Sequence, residues 1–348
     1  MAVFRSDETE VTETQAGDVT RYAFDGVRVY RIGVESFPGH VTNVYLILDS
    51  AVTLVDVGFN GEKARSDLLA ALRAINSDFG EDVGLEDVTD IFITHGHGDH
   101  FGMLEDDRLK GKRLYIHSLD SGIIKNYCGE YTEWKRKMAE LAEEAGCQLD
   151  TEKLFPIARL NFGPSDYDVV EVVDGQRIID GYEVYHTPGH SPGCVCLRVG
   201  PVLFLGDHML SLTTPHQVPK SSWQGGGLEA YIASLRKVAG IGVGLGLAAH
   251  EDVIYSVKAR AEEIEAFHFQ RLLELIDLCK EEKTLYQLTS DYYRRHPELI
   301  QASGVEGLAV DETFLALEEI KAHVEYLLER GMVEVASMDG WAPKYRSR

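Results

Sequence analysis

Three histidines and an aspartate fall within six positions of this chain, His95-Gly96-His97-Gly98-Asp99-His100, directly after the apolar run Ile91-Phe92-Ile93. Imidazole and carboxylate are good ligands for zinc, iron and manganese, so the stretch looks like a buried strand delivering metal ligands at its C-terminal end. In an extended segment residues two apart point the same way, so His95 and His97 can hold one ion. Asp99 and His100, past the bend, can turn toward a second. A structural zinc would be closed by four ligands, often cysteines. The five cysteines (Cys128, Cys147, Cys194, Cys196, Cys279) lie elsewhere, so the donor set favours an open, hydrolytic site.

Other candidate ligands also sit where an apolar, strand-like run gives way to glycine or a loop. Asp56 closes Thr53-Leu54-Val55, and His190 lies in Thr187-Pro188-Gly189-His190-Ser191-Pro192-Gly193. Asp207 follows Val202-Leu203-Phe204-Leu205-Gly206, and His250 follows Leu245-Gly246-Leu247-Ala248-Ala249. A carboxylate at the end of a buried strand is costly unless it is paired or bound to a cation.

With these residues in place the chain resembles the metallo-β-lactamase fold superfamily. His95 to His100 matches the H-x-H-x-D-H signature. Leu54-Val55-Asp56-Val57-Gly58, Thr187 to His190, Phe204 to Asp207 and Ala249-His250 match the other motifs in the family's order, and the likeness spans about residues 25 to 255. The resemblance implies a dinuclear centre of two divalent ions, zinc first, with iron or manganese as alternatives. His95, His97 and His190 would hold one ion and Asp99, His100 and His250 the other, with Asp207 bridging. Asp56 would support the ligands by hydrogen bonds, and His208 would be a second support or a packing residue. A bridging hydroxide would attack the substrate, with Asp99 assisting proton transfer. Asp207 counts against β-lactam hydrolysis, and His97 counts against a diiron redox role.

These ligands need strands to carry them. Apolar and alternating runs predict strands at Val27 to Ile32, Val41 to Asp49, Ala51 to Val57, Leu114 to Ile116, Asp168 to Val173, Gly181 to His186, Cys194 to Val199, Val202 to Leu205 and Gly244 to Ala249. Helical spacing marks Ala64 to Ile75 and Leu228 to Val238. Two groups of strands, each interleaved with helices, predict a four-layer αββα sandwich over residues 21–255. Residues 1–20 read as a mobile arm. A helical insertion from about Ser118 to Gln148 carries Tyr127, Tyr131 and Trp134, which with His216 and Trp223 are candidate substrate contacts. Thr213 to Gly227 has the composition of a flexible substrate-side loop. Residues 256–348 read as helices and a terminal hairpin, a winged-helix-like domain.

A net charge of −23 argues against nucleic acid or an anionic membrane as the main partner. The winged-helix-like segment is itself acidic, with 11 Lys+Arg against 18 Asp+Glu between Arg260 and Arg348, where a nucleic-acid reader should be basic. No signal-peptide pattern or membrane-length apolar run is visible, and the odd cysteine count suits a reducing compartment. The expectation is therefore a cytoplasmic hydrolase, a homodimer on general grounds, acting on a small-molecule ester or thioester in the manner of glyoxalase II. Phosphodiester or RNA cleavage, a single-iron sulfur dioxygenase-like activity and a non-catalytic binding role are the rival readings.

Overall fold

The computed structural model describes residues 3–6, 9–15, 18–147, 160, 162–297, 299 and 309–348. Nine strands lie in sequence order in the first sheet: β1 (Val3–Ser6), β2 (Thr9–Glu13), β3 (Val19–Phe24), β4 (Val27–Phe37), β5 (His40–Leu48), β6 (Val52–Val55), β7 (Asp90–Phe92), β8 (Arg113–His117) and β9 (Asp168–Val172). They pair antiparallel as far as β6 and parallel from β6 to β9. The second sheet holds β10 (Arg177–Ile178), β11 (Tyr182–His186), β12 (Val195–Val199), β13 (Val202–Gly206) and β14 (Leu245–Ala248), antiparallel except for the β13–β14 pair.

Side-chain alternation sorts the layers. Strand residues point to opposite faces in turn. Val29, Ile47, Phe92 and Tyr115 of the first sheet pack against Val184, Leu197, Phe204 and Leu247 of the second in one buried cluster. Their neighbours Tyr30, Leu46 and Ile91 face outward onto α1 (Glu62–Phe79), meeting Leu68, Leu72 and Ile75. Cys196, Leu203 and Leu205 face outward from the second sheet into a cluster with Leu235. A one-residue slip of β13 would exchange Phe204 for Leu203 and Leu205 between these layers, so burial on both faces fixes the register.

Among the described residues the other α-helices are α2 (Gly98–Phe101), α3 (Gly122–Lys125), α4 (Tyr127–Ala145), α5 (Leu228–Ala239), α6 (Val257–Leu278), α7 (Leu285–Arg295) and α8 (Ala309–Glu329). A third sheet, ordered β15 (Lys283–Thr284), β17 (Ala342–Ser347), β16 (Val333–Asp339), completes the C-terminal segment. Leu272, Leu275, Leu317, Ile320 and Leu327 share one buried cluster with Leu203, Leu205 and Leu235, so the C-terminal helices pack on the second sheet through α5. No helix among the described residues is long and apolar enough to cross a membrane.

The expected mobile arm is corrected by the pairing. Glu10 lies opposite Ala23 and Val11 opposite Tyr22, and β1 extends the same sheet beyond β2. Thr9, Val11 and Thr12 are buried. β-Branched residues that looked like part of a polar tail suit a pleated surface once a partner strand is present.

At Gly206 the ends of β13 and β7 meet. Its φ is +52°, and a Cβ placed there would stand 2.7 Å from Thr94 Cβ. This contact sets Asp207 beside His95. Gly206→Ala is expected to destabilise the fold by about 2–4 kcal/mol, from overpacking plus a left-handed backbone. Urea denaturation should show a lower midpoint with an unchanged slope.

Candidate metal centre

Thr94 ends the buried run after β7, its carbonyl accepting from Val195 N at 2.9 Å, so the first and second sheets are tied where the ligands begin. His95 then leaves the strand, His97 caps α2, and Asp99 and His100 fall in that helix's single turn. His190 comes from the β11–β12 loop, Asp207 from the end of β13 and His250 from beyond β14. All seven converge from the ends of four strands, β7, β11, β13 and β14.

Their polar atoms form two adjacent pockets. In the first, His95 Nε2 and His97 Nδ1 are 2.9 Å apart, and His190 Nε2 is 3.0 Å from His97 Nδ1 and 3.2 Å from His95 Nε2. In the second, Asp99 Oδ2 lies 3.3 Å from His250 Nε2 and 3.5 Å from His100 Nε2. Asp207 faces both. Its Oδ2 is 3.6 Å from His190 Nε2 and 3.5 Å from His100 Nε2, and its Oδ1 is 3.4 Å from His250 Nε2.

Hydrogen bonds on the far side of each ring decide what these nitrogens offer. His100 Nδ1 donates to Asp56 Oδ2 at 2.8 Å, His190 Nδ1 to the His216 carbonyl at 3.0 Å, and His250 Nδ1 to the Val41 carbonyl at 2.8 Å. A neutral ring with its proton on Nδ1 turns a bare Nε2 lone pair inward, the form a metal requires. Asp56 is held in turn by Thr94 N and Thr94 Oγ1, both at 2.8 Å.

Burial pushes the His97 imidazole down to about 4 and holds His95 and His190 well below the ordinary histidine value. Burial also disfavours charge on His100 and His250, but the carboxylates of Asp99 and Asp207 outweigh it and hold both rings above that value, His250 at about 10.

The donor set fits divalent cations. Two nitrogens on one zinc at tetrahedral angles stand about 3.3 Å apart, close to the separations in the first pocket. Lone pairs aimed at one another within a buried space lack any other counterpart. His100 Nε2 and Asp207 Oδ1 are buried without a hydrogen-bond partner, which is uncommon and calls for an ion or water.

Not every candidate joins the cluster. His216 does, its ring lying parallel to His97 at 6.0 Å and 4.8 Å from His190. His208 instead packs on Tyr231, with both ring nitrogens buried and unpartnered. Tyr127 packs on Phe101 and Phe162, and Tyr131 stacks on Trp134, which lies against Met138, Ala142 and Phe314. Trp223 carries the Lys137 ammonium 3.5 Å above its ring.

Two further residues border the site: His40, which the sequence offers only as a lone histidine able to line the pocket or to pack, and Asp120, which escaped the sequence reading. His40, at the β4–β5 turn, places Nε2 3.4 Å from Asp99 Oδ2 and its ring 4.4 Å from His250. Asp120, just past β8, accepts from Gly96 N and Gly193 N at 2.8 Å and from Ser191 Oγ at 2.9 Å. It joins the loop carrying His95 and His97 to the loop carrying His190. A carboxylate just beyond an apolar strand was the available signal. Asp120→Ala would strand the buried Gly193 amide, costing about 1–3 kcal/mol, free the half-buried Gly96 amide, and weaken metal retention about 10–100-fold. Metal content after dialysis against a chelator, beside urea denaturation, checks both.

Known proteins resemble this chain in sequence and fold. The chain is 27% identical over 234 residues to the probable metallo-hydrolase YqjP of Bacillus subtilis, covering 63% of this chain and 70% of that protein. A metallo-beta-lactamase family protein from Thermus thermophilus superposes with a TM-score of 0.70 at 24% identity, covering 92% of this chain and 98% of that one. A beta-lactamase domain protein from Burkholderia ambifaria gives 0.69 at 20% identity, covering 97% and 94%. The metallo-beta-lactamase superfamily model matches residues 38–250, which hold every candidate ligand. The chain belongs to the metallo-beta-lactamase superfamily.

Proposed function

We propose that this chain is a dinuclear metallohydrolase acting on a small-molecule carboxylic ester or thioester. The observation that carries the reading is Asp207, whose carboxylate lies between the two pockets, Oδ2 near His95 and His190 of the first and His100 of the second, and Oδ1 near His250 of the second. Such a carboxylate is built to share two cations. His95, His97 and His190 are assigned to the first and Asp99, His100 and His250 to the second. Two bound divalent ions would supply Lewis acidity and bring the pKa of water toward neutrality.

The chain's own groups then orient and move protons. Asp56 and the carbonyls of Val41 and His216 keep the imidazoles from turning. Asp99, whose Oδ2 accepts from Thr42 Oγ1 at 3.3 Å, is the residue assigned to take the attacking water's proton and return it to the departing alkoxide or thiolate. His40 and His216 border the two pockets and are assigned to substrate contact. The C-terminal segment, winged-helix-like in its element order, serves as a wall of the site, and its acidity favours a small substrate over nucleic acid. A cytoplasmic location fits this reading.

Metal analysis should find two ions per chain, and a panel of thioesters, lactones and single-stranded RNA should show turnover of the first two classes. Asp99→Ala is expected to lower kcat by about 10²–10⁴-fold. RNA cleavage abolished by Asp99→Ala, with no ester or thioester turnover, would overturn the assignment in favour of a phosphodiesterase.

A further inference from the structure

The loop after Asp207 has a composition suited to flexibility, yet it is pinned from three directions. Arg260, on α6, donates from Nε to the Leu210 carbonyl and from Nη2 to the Thr213 carbonyl, both at 2.7 Å. Glu251, the residue after His250, accepts from the amides of Leu212 and Thr213. The third direction is α8. Glu319 Oε2 accepts from Gln217 N at 2.6 Å, Glu318 Oε2 lies 3.7 Å from His216 Nε2, Glu325 Oε2 accepts from Ser221 N at 3.3 Å, and Glu329 Oε1 from Lys220 Nζ at 2.6 Å. Four carboxylates along one helix thus hold the stretch from His216 to Ser221.

The innermost of them is built into the core. Glu319 is buried and ion-paired to the equally buried Arg271, whose Nε donates to Tyr292 Oη at 3.0 Å. His268 and His323 lie beside it, and these two histidines with Glu319 resemble a third metal pocket. Hydrogen bonding argues otherwise. His323 Nδ1 donates to the Glu319 carbonyl at 2.7 Å, leaving Nε2 to accept from His268 Nδ1 at 3.0 Å. Arg271 already occupies Glu319 Oε1, so a cation would compete with a guanidinium for the same atom.

We infer that α8 positions His190 through Glu319, and so sets the metal affinity of the first pocket, while Glu318 positions the His216 ring beside it. The route is short. Glu319 fixes Gln217, the adjoining His216 carbonyl accepts from His190 Nδ1, and Glu318 holds the His216 ring beside His97 and His190. α8 lies wholly beyond the family-matched residues 38–250, so this control comes from outside that segment. It rests on the assignment of His190 as a ligand made above. Glu318 and Glu319 are positioning residues, acting through the loop.

The test uses the full chain and zinc. Replacing the buried pair together, Glu319→Met with Arg271→Met, removes both charges at once and leaves neither stranded, while Gln217 loses its carboxylate. Competition with a chromophoric chelator should show wild-type protein holding two zinc ions and the double variant losing one, with first-pocket affinity lowered about 10–100-fold and the second retained. Glu318→Gln should keep both ions but raise KM more than it lowers kcat on the substrate class identified above. A folded double variant that binds both ions as tightly as wild type overturns the inference alone. Wild-type protein that binds no zinc overturns the assignment of the site, and this inference with it. If the double variant does not fold, hydrogen exchange on zinc-loaded wild type decides. Protection of the Gln217 amide by about a thousand-fold supports the clamp, and exchange at the rate of an open loop overturns it.

Discussion

The structure depends on one electrostatic constraint. Five imidazoles and the carboxylates of Asp99 and Asp207 crowd a buried space, with Asp56 directly behind. Buried carboxylates are expensive without compensating charge. In the bare protein the carboxylates favour protons on His100 and His250. Divalent cations would displace those protons and compensate the carboxylates more fully. The sandwich exists, in this sense, to oppose a repulsion. Two sheets locked face to face through a dry layer, with Val195 N bonded to Thr94 O at the seam, hold together groups that would separate if left free.

That dependence explains why the candidate ligands and Asp56 could be picked out in the sequence while Asp120 and the helix-borne supports could not. Asp207 and His250 announce themselves because a polar residue directly after a continuous apolar run is anomalous by itself. The strands were equally plain, since Val202 to Leu205 is apolar throughout and is buried on both faces. Asp120 is a carboxylate of the same kind, yet its meaning lies in two backbone amides, Gly96 N and Gly193 N, which have no sequence signature. Glu318, Glu319, Glu325 and Glu329 are harder still. On a helix they read as a solvated acidic face, and only the tertiary path of the 216–221 stretch shows that they point at polypeptide.

The misreadings have the same origin. Residues 9–13 looked like a polar tail because threonine and glutamate dominate them, yet pairing with β3 buries one face. Tyr127 and Trp134 looked like a substrate cap because aromatic residues near a candidate site invite that reading. Their half-buried rings also pack on their own domain, Tyr127 on Phe101 and Trp134 on Met138, Ala142 and Phe314. In both cases local composition was compatible with two environments, and contacts distant in sequence made the choice.

Ligands must be held within about half an ångström of productive geometry for a metal site to work, and loops hold less well than strands. Here His95 and Asp207 gain precision from strand ends, Asp99 and His100 from α2, and His250 from the Val41 carbonyl of β5. His190 is different, since the carbonyl that orients it belongs to a loop. That makes the β13–α5 loop the weakest part of the first pocket unless something rigid stands behind it. Helix α8, anchored by the buried Arg271–Glu319 pair and packed through Leu317 and Ile320, is rigid in that way. The C-terminal segment therefore does more than cover the second sheet: it gives a loop-borne orienting group the fixity that the other ligands take from the sandwich itself.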